Sequence, residues 1–298
     1  VSSSVNRSVN MSGTMPPAAP AAPIGSRVAA IDVVRGAVML LMAIDHVRVY
    51  AGVPPGGPSP ELFLTRWITH FCAPAFVFLA GTSAFFRGRK HARLSRVLLV
   101  RGLWLVLLEL TVVRLAWTFN LDFARQMAGV IWVIGWSMVG LAGLVKLPLR
   151  AIAAIGIVVI AAHNLIDARR AEKYPASLAF LLMTLGPTIA LLPALERARG
   201  ALWQPMRLFG RVPFFYYVLH IPLIHGLALL VSLVRTGAVD AWLFTNHPMG
   251  NPPPPEGYTW SLPLLYGVWG IAVLLLYPPC RWMDRLKTSR RSWWSSYV

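Results

Sequence analysis

From residue 28 onward the chain is divided into apolar blocks of roughly 18 to 25 residues, separated by short polar loops. At 1.5 Å of rise per residue, each block is long enough to cross a hydrocarbon core about 30 Å thick. This pattern excludes a water-soluble domain and predicts an all-α fold, a polytopic transmembrane helical bundle of about eight spans. The candidate spans are 28–49, 67–86, 97–117, 127–147, 149–167, 175–195, 212–234 and 261–280. Composition agrees, since 56% of residues are hydrophobic and only 13% charged, about half the charged share of an ordinary soluble protein.

The formal net charge is +17. Such an excess would point to nucleic acid if it covered a soluble domain, but here it lies in loops between apolar blocks, so no nucleic-acid partner is expected. Alternate loops differ in Lys and Arg more than twofold, and the richer side is cytoplasmic by the positive-inside rule. Both termini are therefore expected in the cytoplasm of a bacterial inner membrane, with lipid around the bundle. The loop from Arg87 to Arg96 carries the strongest topogenic signal; binding of anionic headgroups or a phosphorylated cofactor is the alternative. Residues 1–26, rich in Ser, Pro and Ala, read as a disordered tail without a signal-peptide core. Residues 27–287 read as the membrane domain and 288–298 as a C-terminal tail. Cys72 and Cys280 lie in apolar segments with no spacing for a disulfide framework or a zinc site.

Ionisable groups inside spans are costly and mark functional interiors. The first span holds Asp32, Arg35, Asp45, His46 and Arg48. At 100° per residue, Asp32, Arg35 and His46 share one stripe, and the rise from Arg35 to His46 is roughly 16 Å. Asp32 and Arg35 either pair at i, i+3 or belong to a site; Asp45 and His46 are read as functional. Arg66 and His70 open the second span and should lie level with His46, and Pro74 with Gly81 favours close packing and a local backbone break. Glu109 in the third span is read as a structural partner of Arg101, with one arm of a proton path as the alternative. In the seventh span His220 and His225 stand about 140° apart, a poor arrangement for joint metal binding, and no metal is expected. The long loop before the last span, with Trp242, Trp260 and four consecutive prolines, reads as an interfacial aromatic belt with a stiff linker, or as cover for a sugar-binding mouth.

The stretches AIDVVRGAVMLLMAIDHVR, FLTRWITHFCAPAFVFLAGTSAFF, RGLWLVLLELTVVRLAWTFN, HNLID and FGRVPFFYYVLHIPLIH resemble the bacterial membrane proteins related to the catalytic domain of heparan-alpha-glucosaminide N-acetyltransferase. That resemblance implies transfer of an acetyl group from cytoplasmic acetyl-CoA to a sugar amine across the membrane. The lysosomal enzyme has its catalytic His in the loop after the first helix and an Asn where Asp45 stands. No His occurs from Val47 to Thr69, so His46 or His70 would take that role here. His70 itself matches an acidic position. Only Ala168 to Lys173 separate Asp167 from Tyr174, where family members carry further helices, so the chain looks shortened by an even number of helices.

The expected activity is acetyl transfer to a sugar-like amine or hydroxyl acceptor on the periplasmic side. His46 would be the general base with Asp45 beside it, since an imidazole titrates near neutrality and a nucleophile must lose a proton as it attacks. His70 joins them as a catalytic candidate; Arg66, Asp32, Arg35, His220 and His225 are candidates for binding substrate. An acetyl-histidine intermediate is an open alternative. The competing classes are a proton-coupled transporter built on the same buried groups and a non-catalytic shortened family member.

Overall fold

The structure is a computed structural model, and it describes residues 29–53, 59–88, 94–148, 150–158, 200–250 and 252–289 together with Leu195. The predicted tails and most of the spans expected at 149–167 and 175–195, with the junction at 168–173, lie outside the described residues. Among the described residues the regular elements are all helical. Helix α1 is Ala29–Tyr50, α2 Pro60–Thr69, α3 Cys72–Gly88, α4 Leu94–Leu108, α5 Arg114–Thr118, α6 Val130–Leu144, α7 Gln204–Arg211, α8 Pro213–Thr236 and α9 Leu262–Ser289.

Three stretches are long and apolar enough to cross a membrane by length and composition: Pro60–Ser83, Pro213–Thr236 and Leu262–Ser289. The eight-span count thus receives support at three places among the described residues. α1 has 22 residues, a rise of roughly 33 Å, and differs from these stretches in its charged residues Asp32, Arg35, Asp45 and Arg48. The third predicted span is not one regular helix, because a π-helical segment, Glu109–Val113, joins α4 to α5.

The second predicted span is broken as well. His70 and Phe71 form a turn between α2 and α3, with amides reaching Trp67 and Ile68 three residues back. Pro74 explains the position: it has no N–H to offer the His70 carbonyl four residues earlier, and its ring crowds that carbonyl.

α1 is the centre of the bundle, packing against α2, α3, α7, α8 and α9. One apolar cluster joins its Val38, Met42, Val47 and Tyr50 to Tyr216, Ile221 and Ile224 of α8 and Leu265 and Ala272 of α9. Two glycines let α7 reach α1 backbone to backbone. A Cβ on Gly36 would stand 1.7 Å from the Met206 carbonyl oxygen, and one on Gly210 1.8 Å from that of Asp32. α4 and α6 cross in the same manner at Gly102 and Gly135, small residues serving as the contact that lipid-embedded helices need.

Beyond α1 the chain reverses at Gly52, which has φ +65°. The loop between α8 and α9 folds back over this end. Trp260 donates its amide to the Ala51 carbonyl at 2.9 Å, and the Tyr258 hydroxyl donates to the Tyr50 carbonyl at 2.9 Å.

Candidate active site

The last turns of α1 send neighbouring side chains in different directions, because consecutive residues diverge by about 100°. Asp45 turns to Arg48, its i+3 neighbour, at 2.9 Å, and Arg48 continues to the Val53 carbonyl at 2.8 Å. His46 faces α8 instead. Its Nδ1 lies 2.6 Å from Nε2 of His220, and the two rings lie end to end, their planes 21° apart and their centroids 4.8 Å apart. Trp117 of α5 closes the other side, edge-on at 4.7 Å. Asp45, expected beside His46 in the chemistry, pairs with Arg48, which in turn holds the chain reversal.

The tautomers follow from the hydrogen-bond network. Nδ1 of His220 lies 2.6 Å from the Tyr217 carbonyl and 3.1 Å from that of Tyr216. Carbonyls only accept, so this nitrogen carries the hydrogen and Nε2 of the neutral ring presents a lone pair. His46 then donates from Nδ1, which leaves its own Nε2 as a basic lone pair. Two imidazoles bonded in this way hold a single hydrogen between them. His220 is fully buried and His46 half-buried, so the basic end of the pair is the more accessible one.

A second aromatic layer lies beyond this pair. Tyr50 donates its hydroxyl to the Trp117 carbonyl at 2.8 Å and stacks with Trp117 at 5.5 Å and with His225 at 4.8 Å. His225 donates from Nδ1 to the Ala116 carbonyl at 3.2 Å and is stacked on its other face by Phe119 at 3.9 Å. Phe119 has φ +46°, the left-handed region, and is the one non-glycine there among the described residues. That conformation costs about 1–2 kcal/mol, and the ring contact with His225 helps to hold it.

His247, in the loop between α8 and α9, completes the layer edge-on to Tyr50 at 5.6 Å and against Trp242 at 3.9 Å. Burial, seconded by the His225 charge, lowers its pKa to about 4, against the raising effect of the Trp242 and Thr245 carbonyls. Sequence reasoning passed over His247, which has no periodic pattern or charged neighbour to mark it.

Arg114, at the start of α5, is completely buried. It donates to the Arg125 carbonyl at 3.0 Å, to Asn120 Oδ1 at 3.2 Å and to Asn246 Oδ1 at 2.6 Å, as well as to the Thr118 hydroxyl and the Asp122 carbonyl. Asn246 passes the connection on to Asp122 Oδ2 at 2.7 Å. One guanidinium therefore ties the 119–126 loop to the 244–250 loop. The carboxyl of Asp122 is held below the usual carboxylate range by the Ala124 amide, then by the Asn246 side chain and the nearby Arg114 and Arg125 charges.

The remaining candidates are placed elsewhere. Asp32 and Arg35 pair at 3.7 Å, and Arg35 also donates to the Gly210 carbonyl at 3.2 Å and to Ser83 Oγ at 2.9 Å. They fasten α1 to α3 and α7, three turns from His46. His70 sits in the α2–α3 turn, half-buried. The side chain of Arg66 lies outside the described residues. Glu109, fully buried, accepts the Gly129 amide at 3.0 Å in place of the expected pairing with Arg101. Among the described residues no group of three or more His, Cys, Asp or Glu is arranged to hold a metal ion.

The arrangement can accept one proton at the Nε2 lone pair of His46 and hold that imidazole through a second. A sequence profile described as heparan-alpha-glucosaminide N-acetyltransferase, catalytic, matches residues 27–193. No curated protein and no solved structure matches the chain. The profile covers His46, Glu109 and Arg114 and ends before His220, His225 and His247. It spans more than half of the chain, and the protein belongs to the family of heparan-alpha-glucosaminide N-acetyltransferase catalytic domains.

Proposed function

We propose that the protein transfers an acetyl group from cytoplasmic acetyl-CoA to a sugar-like amine or hydroxyl on the periplasmic side, with His46 as general base. The observation that carries this reading is the 2.6 Å contact between His46 Nδ1 and His220 Nε2, backed by the Tyr217 carbonyl. An attacking amine or alcohol must lose its proton, and the lone pair on His46 Nε2 is placed to take it. As the new C–N or C–O bond forms, the C–S bond of the thioester breaks and the proton returns from His46 to the departing thiolate. His220 holds the tautomer and spreads the positive charge that His46 gains, the task a carboxylate performs in serine-hydrolase triads. Acetyl-CoA supplies the activated acyl group, and a family of acetyltransferases supports that choice of donor. Asp45 supports the site at one remove, through Arg48 and the chain reversal.

The test is turnover of labelled acetyl-CoA with glucosamine in membranes containing the wild type or His46→Ala at equal abundance. Loss of transfer in the variant is expected; unimpaired transfer overturns the assignment of the base.

A proton-coupled transporter is the second reading. It draws on Glu109, whose Oε2 is buried without a hydrogen-bond partner among the described residues, in a π-helical segment, a feature often found at functional sites. Binding of acetyl-CoA to the purified protein separates the two, because a simple permease has no use for it.

A further inference from the structure

An open cleft of about 460 Å³ lies between the 119–126 and 244–252 loops, lined by Asn120, Asp122, Arg125, Phe244, Asn246 and Pro252 among others. Its volume is within the range of small-molecule sites. Its floor is built, since Arg114 beneath it is wholly buried and bonded to both loops. The bonds already made define what is left for a ligand. Asp122 receives one hydrogen bond on each carboxylate oxygen, from the Ala124 amide and from Asn246, and keeps a lone pair on each. Asn120 donates one amide hydrogen to the Phe244 carbonyl and Asn246 one to Asp122, so each retains one. The Arg125 backbone serves Arg114, while its exposed side chain lines the cleft. Phe244 and Pro252 add apolar surface. Acceptors, donors and an apolar wall at one place suit a ligand that both donates and accepts through hydroxyls and has a C–H face. A pyranose ring has that chemistry.

The cleft is separated from the imidazole pair by the aromatic layer. Phe244 lies 6.1 Å from His225, which stacks on Tyr50, and Tyr50 stacks on Trp117 beside His46. A single sugar held in the cleft is therefore not the ring being acetylated. We propose that this cleft is an outer saccharide subsite, with Asp122, Arg125 and Asn246 as its polar contacts, and that the preferred acceptor is an oligosaccharide whose non-reacting unit rests there. This rests on the acetyltransferase reading for the acceptor's role, but the binding itself does not depend on it.

The experiment uses the full chain in nanodiscs without acetyl-CoA, titrated with glucosamine and with its β-1,4-linked dimer and tetramer. The longer probes should bind at least about tenfold more tightly, the value of one hydrogen bond to a charged group. Arg125→Ala, whose side chain makes no bond that builds the loop, should bring the ratio of tetramer to glucosamine affinity towards one, with an unchanged melting temperature. Asp122→Asn should lower that ratio as well, and because it also loses one of the bonds from Asn246 and the Ala124 amide it is expected to lower the melting temperature. Equal affinity for all three probes, or a ratio that survives both variants, overturns the subsite. A ratio lost in the variants without any acetyl transfer keeps the subsite and removes the transferase reading. Transfer to glucosamine with no length preference does the reverse.

Discussion

The Nδ1 of His46 lies 2.6 Å from the Nε2 of His220, although 174 residues separate them in the chain. The contact orders three groups, from the Tyr217 carbonyl through His220 to His46. In the proposed reaction the two imidazoles act as one unit.

The first prediction follows from that coupling. His220→Ala should lower acetyl transfer about as much as His46→Ala, by roughly 10² to 10⁴-fold. The double variant should be little worse than either, because groups acting as a unit are not additive. Turnover in membranes at matched abundance checks this. Full activity in His220→Ala would reduce that residue to packing.

The second concerns the junction of α1 and α7. Alanine in place of glycine within a helix ordinarily stabilises by about 1 kcal/mol. Gly36→Ala and Gly210→Ala should instead destabilise by about 1–3 kcal/mol, since the new Cβ atoms would stand 1.7 and 1.8 Å from backbone carbonyl oxygens that cannot rotate away. Gly140→Ala, with nothing within 4 Å, is the control and should be neutral or stabilising. Thermal unfolding in detergent reads all three.

The third is a pH dependence. His247 has its pKa lowered to about 4 in the folded protein against an ordinary value of 6.5. Between these values the unfolded chain binds the extra proton, so stability is complete above about pH 6.5 and falls as the pH drops towards 4. The loss amounts to at most about 3 kcal/mol. Melting temperatures across this range should show a slope that flattens in His247→Gln; an identical slope in the variant would assign it to other groups.

The fourth is topological. Reporters fused after Val298 and near Pro252 should give opposite signals, with the C-terminus cytoplasmic and the loop between α8 and α9 periplasmic. Agreement between the two reporters would show that the span between them does not cross.

Membrane character and helical class were legible in the sequence, because an apolar run long enough to cross a bilayer can satisfy its backbone only as a helix or a closed barrel. The Asp32–Arg35 and Asp45–Arg48 pairs were within reach of the same reasoning, being i, i+3 neighbours whose contact needs nothing beyond one helix. So was the break ahead of Pro74, which depends on a missing donor in the same segment. Tertiary packing alone decided the rest. His220 meets His46 because α8 packs against α1, and no local rule joins residues so far apart. Asp45, adjacent to His46 in the chain, forms its ion pair with Arg48, while His46 meets α8 one 100° step further on. Arg114 finds Asn120 and Asn246 only once two loops close over the end of α1, and Glu109 meets the Gly129 amide because a residue without a Cβ stands there. Periodicity and hydropathy are properties of single segments, and the sequence determined those; the active-site contacts are relations between segments, which exist only after the helices have packed.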